Sequence, residues 1–250
     1  DEHRLASVIE EACAGLEGVV ASTILAETRR NLYNGISAEE LALAPILATR
    51  TLVETEPNYA YVSARLLNDK LRREALSFIA GRQDQATQAQ MTERYADYFP
   101  AYLQRGITLE LIDPELARFD IARIAGAIRP ERDLQFQYLG LQTLYDRYFL
   151  HADGTVFELP QAFFMRVAMG LAVREIDREA RAIEFYDLLS SFDFMASTPT
   201  LFNSGTLRPQ LSSCFLTTIA DDLEGIFKAV KDNALLAKYS GGLGNDWTPV

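Results

Sequence analysis

Residues 197–250 constrain the fold most, because the pattern there passes from turn to strand to helix within one short stretch. Pro199 fixes its own φ and disfavours the helical region for Thr198, so residues 197–200 predict a turn followed by extended chain. The apolar and β-branched run Cys214–Thr218 predicts a short buried strand. A cysteine on a strand, between a threonine-rich and a glycine-rich segment, suits chemistry on a polar substrate.

A helix and a glycine run are predicted after this strand. Asp221 and Asp222 can cap the helix, because carboxylates accept hydrogen bonds from its free amides and complement its positive end. The apolar residues that follow recur at helical spacing and predict one buried face: Leu223, Ile226, Phe227, Val230, Ala234 and Ala237. Residues 240–244, with the sequence SGGLG, end this helix in a glycine-rich loop whose backbone can approach a ligand closely.

The rest of the chain is predicted to be mainly helical. Residues 1–80 show helical periodicity in four segments and predict a helical bundle, in which Ser37 and Glu40 form a capping box. A polar linker at residues 81–85 marks a candidate domain boundary. Further helices are predicted near residues 86–105, 135–150, 159–173 and 177–192, and Asp153 with Gly154 predicts a hairpin turn between short strands.

Composition excludes several classes of protein. A chain of 250 residues with 48% hydrophobic residues can form one or two domains. The net charge of −11 argues against bulk binding of nucleic acid or of an anionic membrane, while small phosphorylated ligands stay possible. No apolar run approaches the roughly 20 residues of a membrane span, and the first residues do not read as a signal peptide. Two distant cysteines favour a reducing cytoplasm, and no zinc-site spacing is present.

Three motifs carry a resemblance to a known family. STPTLFNSG at residues 197–205, SSCFL at 212–216 and SGGLGNDW at 240–247 together resemble the class I ribonucleotide reductase large (α) subunit. The order and spacing of the motifs are similar to the family's, which makes the likeness more specific than any single motif. QYLGLQTLYDRYFL and ELPQAFFMRVA upstream also resemble the helical lead-in of that subunit.

The resemblance implies a mostly α fold with three parts. Residues 1–80 are expected to form an ATP-cone-like helical bundle, since LYNGIS and PNYAYVSARLL resemble the helical part of that regulatory domain. Residues 81–210 are expected to form the helical N-terminal domain, and residues 211–250 the start of a ten-stranded α/β barrel. The sequence does not show the cone's β-hairpin with its basic, phosphate-binding turn. The bundle is therefore interpreted as a degenerate cone that binds ATP poorly.

The resemblance also implies roles for seven residues. Cys214 matches one of two thiols that reduce the substrate ribose, and Thr200, Ser213 and Gly242 match substrate contacts. Asp221, Asp222 and Leu223 match the segment that holds the ribose of the specificity effector, a deoxynucleotide or ATP. Simpler roles stay open for each: core packing for the cysteine, local backbone hydrogen bonding for the hydroxyls, and helix capping for Gly242 and the aspartates.

The implied enzyme reduces ribonucleoside diphosphates to deoxyribonucleotides by thiyl-radical chemistry and so serves DNA replication. Its expected partners are a radical-generating small (β) subunit, a second large subunit, the nucleotide substrate, and thioredoxin or glutaredoxin as reductant. No metal or cofactor is expected on this chain, because the radical cofactor would belong to the small subunit. The radical-carrying cysteine is expected beyond Val250, so this chain alone should be inactive. Two alternatives stay open: a nucleotide-binding regulatory module and an all-α scaffold without catalysis.

Overall fold

The computed structural model describes residues 2–239 and 241–250. Four helices form an N-terminal bundle: α1 (Glu2–Cys13), α2 (Ala21–Arg30), α3 (Ala38–Arg50) and α4 (Tyr59–Ala80). Helix α4 packs against α1 and α3 with its buried face, which includes Val62 and Leu71. The predicted capping box begins α3, since Ser37 Oγ accepts from the Glu40 amide and the Glu40 carboxylate accepts from the Ser37 amide.

Six further helices follow the bundle: α5 (Met91–Thr108), α6 (Ile121–Gly126), α7 (Tyr138–Arg147), α8 (Pro160–Ala172), α9 (Arg178–Ser190) and α10 (Thr198–Asn203). Two 3-10 helices, Pro114–Arg118 and Pro130–Gln135, connect them. Between α7 and α8 lies a hairpin of β1 (His151–Ala152) and β2 (Thr155–Val156). Its turn has Asp153 and Gly154 at positive φ, as the Asp-Gly signal predicts.

The C-terminal residues form a β-α-β unit. Strand β3 (Cys214–Thr218) and strand β4 (Gly242–Asp246) pair in parallel, with Cys214 opposite Gly242 and Thr218 opposite Asp246. Helix α11 (Leu223–Lys238) connects the two strands. A connection through a helix is the usual way to join neighbouring parallel strands, and it begins an α/β architecture after the helical domain.

The core is one continuous set of buried apolar side chains that extends from Ile9 in α1 to Leu201 in α10. Helix α8 lies at its centre, packs against α9, and is apolar around most of its circumference, as expected for a helix without an exposed face. The division of residues 1–210 at position 80 stays a prediction. None of the helices in the described residues is long and apolar enough to cross a membrane.

The predicted mostly α fold with a change to α/β near residue 211 is confirmed. The prediction for residues 197–200 is wrong, because α10 begins at Thr198 and contains Pro199 in its first turn. Proline is tolerated there because the first helical amides have no acceptor within the helix. Burial of Leu201, which is 5% exposed, then favours the helix over an extended chain.

Three further expectations about the C-terminal unit need correction. Strand β3 forms as predicted but alternates between exposed and half-buried residues, since β4 is its only neighbouring strand among the described residues. Helix α11 also forms, but its apolar face is largely exposed, with Leu223 at 72% and Phe227 at 65%. The predicted glycine loop is wrong from Gly242 onward, because parallel pairing with β3 makes residues 242–246 a strand. Ser240 lies outside the described residues.

Candidate active site

The thiol of Cys214 is exposed at the first residue of β3 and lies beside the backbone of Gly242. The Gly242 amide donates to the Ser213 carbonyl oxygen, which closes the end of the strand pair. A Cβ atom at position 242 would lie 3.2 Å from that oxygen and 3.7 Å from Cys214 Sγ. A side chain there would press on the Ser213 carbonyl oxygen and come into van der Waals contact with the thiol, so glycine leaves this side of the thiol uncovered.

The hydroxyl of Thr200 lies on α10 and connects this helix to the segment entering β3. Its Oγ1 donates to the Leu211 carbonyl oxygen at 3.3 Å, three residues before Cys214. Asn203, one turn further along α10, donates from Nδ2 to the Gln210 carbonyl oxygen at 2.8 Å. The structure thus brings Thr200, Ser213, Cys214 and Gly242 to one end of the β3–β4 pair.

Helix α10 is itself held in place by residues that no sequence motif identified as part of the site. At its first residue, Thr198 Oγ1 lies 3.0 Å from the hydroxyl oxygen of Tyr148. The Tyr148 ring also stacks on Phe202, with centroids 4.4 Å apart and planes 15° from parallel. At its other end, Ser204 Oγ donates to the Val167 carbonyl oxygen at 2.7 Å. The two polar contacts and the ring stack join residues far apart in sequence, so no local motif reveals them.

A buried ion pair supports the same end of α10. Arg166 and Glu158 have fully buried side chains, and Arg166 Nε lies 2.7 Å from Glu158 Oε1. Arg166 Nη1 donates to the Ser204 carbonyl oxygen at 2.5 Å, while Tyr102 donates its hydroxyl to Glu158. Burial lowers the pKa of Arg166, but the adjacent Glu158 carboxylate outweighs this and leaves the pKa above its ordinary value. The sequence does contain a sign of this pair: Arg166 interrupts the apolar run of α8, and an arginine is rarely buried without a partner.

The three predicted effector residues lie at the opposite end of β3. The Asp222 side chain accepts from the Gly225 amide at 2.7 Å and caps α11, so its capping role is confirmed. Asp221 and Leu223 flank this cap and are exposed. At about 3.3 Å per residue, β3 spans about 13 Å from Cys214 to Thr218, and this cluster follows Thr218 in the chain. The structure therefore contains two separate candidate sites, one at each end of the strand.

Neither cysteine is bonded to another, and only Cys214 lies in the candidate site. Cys13 ends α1 in the N-terminal bundle, where burial raises the pKa of its thiol and the positive charge of Arg65 partly offsets that rise. A raised pKa keeps a thiol protonated and unreactive near neutral pH. Within residues 2–239 and 241–250, no three His, Cys, Asp or Glu side chains are grouped to hold a metal ion.

The N-terminal bundle contains an open cavity of about 410 Å³ between α2 and α3. Its lining includes the carboxylates of Glu27 and Glu40, the hydroxyl of Tyr33, and the apolar side chains of Leu43 and Leu47. No lysine or arginine is among its lining residues, and the Glu27 carboxylate is already paired with Arg30 at 2.5 Å. The lining therefore offers a polyphosphate no cationic side chain and keeps the negative charge of Glu40.

Comparison with known proteins identifies the family of this chain. A family model described as the ribonucleotide reductase all-alpha domain matches residues 134–209, and one described as the barrel domain matches residues 212–250. The ribonucleoside-diphosphate reductase subunit alpha of Chlamydia muridarum is 45% identical over 249 residues, which is 99% of this chain and 23% of the relative.

Two more distant relatives give the same result. The subunit alpha of Helicobacter pylori (strain 26695) is 36% identical over 100% of this chain and 30% of its own length. The ribonucleoside-diphosphate reductase large subunit of Danio rerio is 35% identical over 96% of this chain and 29% of its own length. The chain thus spans roughly a quarter of each relative's length, and over that span it belongs to the ribonucleotide reductase large-subunit family.

Proposed function

We propose that this chain is the N-terminal part of a class I ribonucleoside-diphosphate reductase large subunit, and that Cys214 is one of its two reducing thiols. The observation that carries the proposal is the position of Cys214: an exposed thiol at the end of a parallel strand pair, beside a glycine backbone and hydrogen-bonded hydroxyl residues. An all-α scaffold would not need a solvent-accessible cysteine at this position.

The proposed chemistry replaces the 2′-hydroxyl group of a ribonucleotide by hydrogen. The C–O bond breaks, the oxygen leaves as water, and two thiols supply two electrons and two protons as they join in a disulfide. Cys214 would supply one thiol. The second would come from outside the described residues, because Cys13 belongs to α1 and its thiol has a raised pKa. The radical cofactor, on a partner small subunit, would supply the one-electron chemistry.

Substrate binding in this proposal uses Thr200, Ser213 and the backbone at Gly242. Hydroxyl groups can both donate and accept hydrogen bonds, which suits the oxygens of a ribose or a diphosphate. Asp221, Asp222 and Leu223 would hold a deoxynucleotide or ATP effector at the other end of β3, next to α11. The exposed apolar face of α11 would form the contact between two large subunits. Thioredoxin or glutaredoxin would reduce the disulfide in the cytoplasm.

The test uses the full-length large subunit with its small subunit and a ribonucleoside diphosphate. Cys214→Ser should abolish multiple turnovers with a dithiol reductant and leave the thermal midpoint nearly unchanged, because the side chain is exposed. Cys13→Ser is the matched control and should retain turnover. Retained turnover in Cys214→Ser, or a midpoint loss that accounts for all lost activity, would reject the proposed role.

A further inference from the structure

We infer that Tyr148 is a positioning residue for the substrate site: it fixes helix α10 and, through it, the segment that leads into Cys214. The inference rests on the proposed function and adds a residue distant in sequence from every predicted site residue. Tyr148 follows α7, where its amide donates to the Leu144 carbonyl oxygen at 2.9 Å and so anchors its backbone to that helix.

Tyr148 contacts α10 at two positions on one helical face. Its hydroxyl oxygen lies 3.0 Å from Thr198 Oγ1, and its ring stacks on Phe202. Residues four apart lie one above the other on a helix, so a single side chain can hold both. Thr200 is two residues from each of them and therefore lies on a different face, which is the one bonded to Leu211. Tyr148 thus holds α10 from a face other than the one that carries Thr200, the proposed substrate contact.

The chain between α10 and the thiol is fastened to this helix. Thr200 Oγ1 and Asn203 Nδ2 donate to the carbonyl oxygens of Leu211 and Gln210. Gln210 Nε2 in turn donates to the Tyr239 carbonyl oxygen at 3.2 Å, at the end of α11. A rotation or shift of α10 would therefore displace the residues immediately before Ser213 and Cys214.

Helix α10 needs such support because six residues are too few for a stable isolated helix. Ser204, just past its end, is held by Arg166 and by the Val167 carbonyl oxygen. The first turn includes exposed Thr198 and lacks a side-chain cap at Ser197. Among the described residues, the hydroxyl of Tyr148, which directly follows α7, is thus the polar contact from a distant segment that fixes this first turn.

Tyr148→Phe in the full-length subunit tests this, since it removes the hydroxyl and keeps the stacking ring. The KM for a ribonucleoside diphosphate should rise about 3- to 10-fold, which corresponds to one lost hydrogen bond. The kcat should change less than the KM, and the thermal midpoint should stay near that of the wild type. Tyr138→Phe is the matched control at the start of α7, the helix that Tyr148 follows, because the Tyr138 hydroxyl donates to Gln142 and not to α10.

A double-mutant cycle separates positioning from simple packing. Thr198→Val should reproduce the KM increase, and Tyr148→Phe combined with Thr198→Val should add little to it, because both remove the same contact. An unchanged KM in Tyr148→Phe, or additive increases of KM in the double variant, would overturn the inference. The proposed function would still stand in that case if turnover by the wild type depends on Cys214. A wild-type enzyme without reductase activity, or an active Cys214→Ser variant, would overturn both.

Discussion

Arg166 shows how a single charged residue can belong to an apolar helix. Its side chain is fully buried, forms two nitrogen–oxygen contacts with Glu158, and donates to the Ser204 carbonyl oxygen. A buried charge is tolerated when its partner and its hydrogen bonds are both present, and removal of one partner leaves the other charge uncompensated. The pair therefore links α8 to the end of α10 and to Tyr102 on α5.

Arg166→Met should lower the free energy of unfolding by about 3–5 kcal/mol, because Glu158 would be left buried without its cation. Urea unfolding of the 250-residue chain measures this change. Arg181→Met is the control, since Arg181 pairs with Glu184 on the surface of α9 and should cost less than about 1 kcal/mol. Similar losses of unfolding free energy in the two variants would contradict the idea that burial makes the Arg166–Glu158 pair important for stability.

Asp133 is a second buried charged residue, and it links three elements. It accepts from Tyr95 Oη at 3.0 Å and from Gln161 Nε2 at 2.8 Å, so it joins the 3-10 helix Pro130–Gln135 to α5 and α8. Burial raises the pKa of Asp133 from 3.8 to about 6, although these hydrogen bonds and the charge of Arg72 oppose the rise.

This raised pKa predicts a defined pH dependence. The stabilisation by protonated Asp133 is complete below the unfolded pKa of about 3.9 and is lost as the pH rises through the folded value of about 6. The whole effect is about 3 kcal/mol, and about 1 kcal/mol of it falls between pH 5 and pH 7.5. The stability of Asp133→Asn minus that of the wild type should therefore increase by about 1 kcal/mol over this range. A difference that stays constant with pH would contradict the raised pKa.

At the scale of elements, the sequence predicted most accurately what depends on local signals. The capping box of α3, the Asp153–Gly154 turn and the strand Cys214–Thr218 formed where expected, because neighbouring residues determine each of them. Helix α10 was missed because a local bias against helix at Thr198 is outweighed by contacts with Tyr148 and by burial of Leu201. Those contacts come from distant segments, which local pattern cannot reveal.

The N-terminus of α11 permits a test of the effector proposal. Asp222 forms the cap hydrogen bond with Gly225, whereas Asp221 precedes the cap and is exposed. In the full-length subunit, Asp221→Ala should weaken effector-directed substrate choice and leave the fold intact. Asp222→Ala should do the same and also destabilise the start of α11 by about 1 kcal/mol. Substrate preference that responds normally to effectors in Asp221→Ala would count against the site.

The cavity between α2 and α3 predicts weak ATP binding by the bundle. Glu40 contributes negative charge to its lining, Glu27 is paired with Arg30, and the lining has no lysine or arginine that could bind phosphates. Calorimetry of the 250-residue chain with Asp222→Ala, which disables the proposed effector site, should therefore show no stoichiometric ATP binding at micromolar concentration. Micromolar binding that is lost on Leu43→Asp would place a nucleotide in this cavity and contradict the prediction.

At the scale of the whole molecule, the two parts of the chain differ in how much apolar surface they bury. Residues 9–201 share one core, whereas the C-terminal unit contributes only Ile219 and Ala229 to the buried apolar residues among those described. Its amphipathic pattern predicted correctly that α11 has an apolar face. The pattern could not show that this face stays exposed among the described residues, because hydrophobic spacing identifies a face and not what covers it.

We expect a second large subunit to cover this face. Leu223, Phe227 and Val230 recur at helical spacing and are 72%, 65% and 53% exposed, so together they form an apolar stripe on α11. In the full-length subunit, Phe227→Glu should raise the dimer dissociation constant at least about tenfold, because burial of a phenylalanine contributes roughly 1.5–3 kcal/mol. Lys228→Gln makes the same change in net charge on the same helix, where Lys228 pairs with Asp232, and should leave the dimer intact. Sedimentation velocity over a range of concentrations measures both constants, and equal constants for the two variants would mean that this stripe faces something other than a second subunit.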